Sequence, residues 1–262
     1  MFRSAVTILL IIETASTCFG FTTGKGDWRI ISGTNSIEKQ WPWQVTIQYA
    51  GKHVCGGTII DSLTILSAAH CFRYGEPSDY EVGVGIIFNM YIPDDRRYHV
   101  TDMRQHDSYK KVTKGFDIMI IKVDRPIQFD KGTSAVPLPR NVRDSPKIGD
   151  VCYVSGWGYS DLGHTILPTR LQHVDVEIVP NSVCQLAYGK YDIYDSQICA
   201  GGQTTKNACH GDSGGPLVCM RDRMFKLYGV VSWGARKCGQ IGVPGIYTRV
   251  TSYLDWIKQN RH

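Results

Sequence analysis

Apolar and polar positions alternate along most of this chain with a period of two. Across residues 43–49, Val45, Ile47 and Tyr49 fall on one face and Thr46 and Gln48 on the other. Such alternation predicts a half-buried β-strand. Ala50-Gly51-Lys52 reads as a turn, residues 53–60 as the next strand and residues 64–67 as a third, ahead of a loop that carries His70. Short apolar runs broken by Gly, Asp and Pro continue to about Val123. Residues 137–150 are rich in Pro, Arg, Asp and Gly and read as a connection, and a second strand-rich region runs from about 151 to 250. Only near the end does the period change. Val250, Tyr253, Leu254 and Ile257 recur at helical spacing, which predicts one amphipathic C-terminal helix with a packing role. Strands never alternate with helices, so the expected class is all-β, a sandwich or barrel.

Residues 1–20 break the pattern. Arg3 is followed by an apolar run at 5–12 and mostly small residues at 15–20, the make-up of a secretory signal. The run is too short to span a bilayer. Nine cysteines fit that context: Cys18 would leave with the signal, and eight remain for an oxidising compartment. Spacing alone does not give their connectivity. The paired Cys-x-x-Cys spacing of zinc sites is absent, and the eight histidines are scattered, so no metal is expected. With 262 residues and 42% hydrophobic content the chain can bury a sizeable core. A formal net charge of +5 without a basic run gives no reason to expect nucleic acid as a partner. The expectation is a soluble secreted monomer that needs no membrane and no cofactor.

The stretch with chemistry in it is Gly211-Asp212-Ser213-Gly214-Gly215-Pro216. A serine hydroxyl is a weak nucleophile unless a base stands within hydrogen-bond reach and N–H donors await the oxyanion. Glycines let backbone N–H groups approach a substrate. On its own the string is also what a Gly-rich surface turn looks like. Upstream lie Ser67-Ala68-Ala69-His70-Cys71 and Phe116-Asp117-Ile118-Met119-Ile120, which give the order His, Asp, Ser. An apolar successor makes Asp117 a candidate buried carboxylate.

With these three motifs, and Cys152 ahead of Gly156-Trp157-Gly158, the chain resembles the chymotrypsin-like (trypsin family) secreted serine endopeptidases from Ile30 to the C-terminus. The resemblance implies two antiparallel β-barrels with the active site between them. It implies His70 as general base, Asp117 as its orienting carboxylate, Ser213 as nucleophile, and the Gly211 and Ser213 N–H groups as the oxyanion hole. It implies disulfides Cys55–Cys71, Cys152–Cys219, Cys184–Cys199 and Cys209–Cys238. Ser232-Trp233-Gly234 would pair with an extended substrate, and Asn207, Gly234 and Gly245 would shape the specificity pocket. Residues 21–29 would be an activation peptide and residues 30–262 the protease domain. Cleavage after Arg29 would free Ile30, whose ammonium would pair with Asp212. Implied partners are protein or peptide substrates, an activating trypsin-like protease and protein inhibitors.

Departures from the family pattern matter at one position above all. Asn207 stands where trypsin-like members carry aspartate, so the pocket floor is uncharged. A lysine or arginine there would be desolvated without a carboxylate. The expected preference is therefore chymotrypsin-like, for large apolar or aromatic residues; trypsin-like cleavage after Arg or Lys stays open, as does a silent homologue that only binds. Ser32 and Phe116 are lesser departures, the latter where many relatives carry asparagine. Val84 follows Gly83 where calcium-binding members place a glutamate, so calcium is not expected around residues 81–95. His106-Asp107-Ser108 is a literal His-Asp-Ser string, but adjacent residues cannot form a relay. His164 and His173 read as surface residues.

Overall fold

The computed structural model describes residues 33–72, 74–161, 163, 165 and 167–261. The expected signal and activation segments, with Arg29, Ile30 and Ser32, lie outside the described residues, as does His164.

The alternating pattern forms two closed antiparallel barrels. The first contains β2 (Gln44–Tyr49), β3 (Lys52–Asp61), β4 (Thr64–Ser67), β5 (Tyr80–Val84), β6 (Arg97–Gln105) and β7 (Met119–Val123), closed in the order β2-β3-β4-β7-β6-β5; it follows a two-residue strand β1 (Thr34–Asn35). The second contains β8 (Val151–Gly156), β9 (Gln172–Val179), β10 (Gln197–Ala200), β11 (Pro216–Arg221), β12 (Met224–Trp233) and β13 (Gly245–Arg249). Its sheet runs β9-β10-β13-β12-β11-β8 and closes through the β8–β9 pairing. Closure leaves neither barrel with an open edge. Two-residue turns join the tightest hairpins: Ala50 and Gly51 between β2 and β3, Asp222 and Arg223 between β11 and β12, all at positive φ as the strand twist requires.

Three details differ from the sequence expectation. First, β2 is buried on both faces: Thr46 is fully buried and Gln48 nearly so. Its polar face looks inward across the molecule, where each polar atom finds a partner. Thr46 Oγ1 lies 2.7 Å from His53 Nδ1, Gln48 Nε2 donates to Asn89 O at 2.8 Å, and Ser155 Oγ donates to Gln44 Oε1 at 2.7 Å. Second, the connection between barrels runs from the end of β7 at Val123 to Val151, longer than residues 137–150. It buries Ile127 and Val136 and stitches both sides: the Val136 N–H donates to Ile59 O, and the Leu227 N–H to Pro137 O, each at 3.0 Å. Third, His173 is half-buried instead of a surface residue. β1 pairs Thr34 with His173, which brings Ser36 Oγ to 3.1 Å from its Nδ1 and Trp41 to 5.3 Å from its ring.

Two helices accompany the barrels. α1 (Asn181–Tyr188) was not foreseen; it follows Pro180, which fixes φ at its entry, and Cys184 ties it to β10 through Cys199. The C-terminal periodicity becomes a 3-10 turn, Val250–Tyr253, leading into α2 (Leu254–Asn260). Past α2 the chain lies on the first barrel: Lys122 Nζ donates to Arg261 O at 2.6 Å, and Arg261 reaches Asp61 at 3.2 Å. No helix among the described residues is long and apolar enough to cross a membrane.

Asp144 anchors the connection. Its carboxylate accepts from the Arg140 N–H (3.0 Å), from Lys226 Nζ (2.9 Å) and from Tyr228 OH (3.0 Å). Those bonds, the Arg140 N–H first, hold its pKa down at about 2. An acid depressed in the fold stabilises above its unfolded value and loses that contribution as pH falls through the folded one. Stability measured by urea unfolding should therefore decline between about pH 4 and pH 2. Asp144→Asn should flatten that decline and cost about 2 kcal/mol at neutral pH, because nearly buried Lys226 loses its main partner.

Candidate active site

His70 sits in the one-turn segment Ala69–Cys71 just after β4. The Cys55–Cys71 disulfide fixes that turn to β3, and Ser67 Oγ donates to Gly56 O at 2.9 Å beneath it. Asp117, fully buried, precedes β7. It grips His70 twice: the His70 N–H donates to Oδ1 at 2.9 Å and ring Nδ1 to Oδ2 at 2.8 Å. The second barrel adds two more bonds. Ser232 Oγ donates to Oδ2, and Thr248 Oγ1 donates to Asp117 O at 2.7 Å. A carboxylate with three donors can stay buried and charged. Because a carboxylate oxygen accepts from it, Nδ1 carries a proton, which fixes the orientation of the ring.

The chain reaches Asp117 through an unusual conformation. Gly115 has φ 75° and Phe116 φ 59°, a region that favours glycine or asparagine. Phe116 is held there by its N–H, which donates to Tyr253 OH at 3.1 Å, and by its ring, 4.9 Å from that of His106. His106 therefore packs, against Phe116, Tyr253 and Trp256, and is not joined to Ser213.

Ser213 is partly exposed and shares one cleft with His70, Asn207, Trp233, Gly234 and Gly245, around a cavity of 240 Å³. The backbone on both sides of it is tied down. The Asp212 N–H donates to Cys209 O, the Gly215 N–H to Asp212 O and the Gly214 N–H to Val231 O, at 2.8–3.0 Å. Gly211 adopts φ 101°, and its carbonyl faces His53 Nε2 at 2.9 Å. A carbonyl can only accept, so Nε2 carries the proton and Nδ1 accepts from the Thr46 hydroxyl. Burial lowers the His53 pKa, which keeps this neutral tautomer. The sequence reading placed His53 merely at a strand start; its ladder partner is Gln48, and a register shift in β2 between Ile47 and Gln48 accompanies its side-chain contact with Thr46.

Asp212 is fully buried. Oδ1 accepts from the Gly158 N–H at 2.8 Å and Oδ2 from the Cys209 N–H at 2.9 Å. Burial outweighs these two bonds and pushes its pKa up to about 6. An added Cβ on Gly156 or Gly158 would overlap this carboxylate, so both positions need glycine. Ile30, its expected partner, is outside the described residues.

At the pocket floor Asn207 is 6% exposed, and its Nδ2 donates to Val243 O at 3.2 Å. Its Oδ1 and the buried Tyr247 hydroxyl have no hydrogen-bond partner within the described protein. The two flank Gly245, whose added Cβ would stand 2.7 Å from Oδ1 and 3.1 Å from the hydroxyl oxygen. Ala208 and Tyr247 are lining residues that the sequence reading missed. At the mouth Gly234 is open, with no atom nearer its would-be Cβ than Tyr188 Oη at 3.6 Å. Tyr188 and Tyr191 brace Trp233, with ring centroids 5.0 and 5.6 Å away. Four disulfides form among the described residues: Cys55–Cys71, Cys152–Cys219, Cys184–Cys199 and Cys209–Cys238. Cys55, His70 and Cys71 form a tight cluster, but both sulfurs are consumed in the disulfide and cannot ligate a metal. A larger cavity of 660 Å³ lies elsewhere, between residues 37–44 and residues 85–96, without a nucleophile and base of this kind.

Gly214 shows how close the packing is. It has φ 78°, and a Cβ there would overlap Ser67 Oγ and Gly56 O. Gly214→Ala should cost more than about 3 kcal/mol, the sum of left-handed strain and overpacking. Thermal unfolding of the purified variant checks this.

The comparisons agree with this geometry. The trypsin family model matches residues 30–257. Coagulation factor XI of Bos taurus is 37% identical over 241 residues, covering 90% of this chain and 38% of that protein. The chain thus spans well under half the length of that relative. A family match over nearly the whole chain, on a double barrel where a buried aspartate holds a histidine that shares its cleft with a serine, leads to one conclusion: this chain belongs to the trypsin family and is a serine endopeptidase.

Proposed function

We propose that His70, Asp117 and Ser213 form the catalytic triad of a secreted endopeptidase made as a zymogen. The observation that carries the proposal is the double grip of buried Asp117 on His70, beside a serine that opens onto the same cleft. Ser213 Oγ attacks the scissile carbonyl while His70 Nε2 takes its proton. The Gly211 and Ser213 N–H groups receive the oxyanion. His70 then protonates the leaving amine, and water hydrolyses the acyl-enzyme by the reverse relay. Ser232, Trp233 and Gly234 bind the substrate as an added strand.

The zymogen reading rests on Asp212. Fully buried, it is met by two N–H groups, and burial raises its pKa against those bonds and the pull of His210. Such a carboxylate gains from a paired ammonium. Cleavage at Arg29–Ile30 by a trypsin-like protease would supply one, separating an activation peptide (21–29) from the protease domain (30–262). Four disulfides suit an extracellular setting. Partners are protein or peptide substrates, the activating protease and protein inhibitors. One experiment tests triad and activation together. Protein cut at Arg29–Ile30 should hydrolyse peptides; Ser213→Ala should lose on the order of 10⁶-fold in turnover. Arg29→Gln should stay intact by mass spectrometry and inactive. Near-full activity in either variant overturns the corresponding assignment.

For substrate preference, the unpartnered Oδ1 of Asn207 is the deciding feature. It is a neutral acceptor at the end of a pocket that Gly234 and Gly245 leave deep. A tyrosine side chain would bury its ring and give Oδ1 a hydroxyl donor. Phe, Leu and Met would follow on buried area alone. Arginine can donate to the same oxygen, yet pays desolvation without a carboxylate. Matched peptides ending in Tyr, Leu, Arg and Lys should rank Tyr first in kcat/KM. Arginine ahead by tenfold, about 1.4 kcal/mol, would establish the trypsin-like alternative.

A further inference from the structure

The rim of the cleft is cationic where its floor is neutral. Two basic segments meet the cleft. The turn Val112–Lys114 packs beside β12; Val112 lines the cleft, and Lys110, Lys111 and Lys114 around it are exposed. Arg236 and Lys237 are exposed as well, and Lys237 also lines the cleft. Both segments are held in place. The Lys114 N–H donates to Lys111 O at 2.9 Å, closing the turn; Cys238 is bonded to Cys209; and the Arg236 carbonyl accepts from His210 Nε2 at 3.1 Å. None of these five cations has an ion-pair partner among the described residues.

We infer that this endopeptidase selects peptides with acidic residues two to four positions upstream of the scissile bond. The inference rests on the triad and substrate-strand reading given above. A substrate strand laid along Ser232–Gly234 would carry its upstream side chains between the two basic segments. Unpaired like charges repel one another across a narrow cleft, and an acidic peptide relieves that repulsion as well as gaining attraction. One exposed pair changes affinity by about two- to fivefold, so two acidic side chains facing several cations should give a clear preference.

The test uses the cleaved enzyme and peptides that share its preferred residue before the scissile bond. They carry Glu-Asp, Gln-Asn or Lys-Lys at the third and fourth upstream positions. The acidic peptide should lead the neutral one by about fivefold in kcat/KM at low salt, with the basic one last. The gap should collapse toward unity near 1 M salt, where screening reaches about 3 Å. Lys111→Glu with Lys114→Glu and Lys237→Glu should reverse the order. A flat ranking, or one that the charge reversal leaves unchanged, overturns the inference. Fluorophosphonate labelling of Ser213 in the same samples separates the two levels. Labelled enzyme with a flat ranking sinks only the acidic preference, whereas unlabelled enzyme sinks the triad reading beneath it.

Discussion

Two closed barrels share one cleft, and everything at that cleft depends on how near their backbones come. A closed barrel satisfies its own edges, so neither half needs the other for its ladder hydrogen bonds. The join is made by glycine. The Gly56 N–H on β3 donates to Ser213 O at 2.8 Å, and a Cβ on Gly56 would stand 3.1 Å from Gly215 Cα. At that separation a side chain on one barrel reaches donors on the other. Asp117 enters from the first barrel and is bound by Ser232 and Thr248 from the second. Ser213 comes from the second barrel while His70 comes from the first. A shift of one barrel by an ångström would break all of these bonds together, which is why the connection and the C-terminal segment are also fastened at several points.

Three carboxylates within this frame show how environment sets charge. Asp144 is tied by a backbone N–H, a lysine and a tyrosine, and its pKa falls. Asp117 is fully buried but collects three donors, two of them from His70. Asp212 is as deeply buried with two N–H donors, and there burial prevails. For Asp144 the donors prevail over burial, and for Asp212 burial prevails over the donors. His53 is the neutral counterpart: its two nitrogens are matched to a carbonyl and a hydroxyl, so it gains nothing from a proton.

The sequence made the strands legible because period-two alternation survives wherever one face meets water. β9 is an example, with Gln172, Val174, Val176 and Ile178 inward and the residues between them outward. The pattern failed at β2, whose polar residues face the interior and carry hydrogen bonds between segments far apart in the chain. It failed for α1, where eight residues between a proline and a glycine are too few for a period to emerge. The longer connection escaped because the 124–136 segment buries isolated apolar residues without forming a strand. Among the site residues, His70, Asp117 and Ser213 stood out by motif, and the structure brings their segments to one cleft. His53, Ala208 and Tyr247 did not, since their importance lies in what they face and not in what adjoins them.

Floor and rim of the cleft act on a substrate through different physics. Asn207 and Tyr247 are enclosed with unpartnered oxygens, so on the proposed reading they would discriminate at contact distance, where a missing hydrogen bond or an uncompensated charge is felt in full. The cations of residues 110–114 and 236–237 are exposed, so each acts weakly, at longer range and subject to salt. A charged floor would have tied both levels to one sign of charge. With Asn207 in place, the proposed preference would be set at the floor by shape and hydrogen bonding, and net charge would be left to the rim. On that reading the pocket would take an aromatic side chain while the same cleft drew in an acidic segment, without either demand weakening the other.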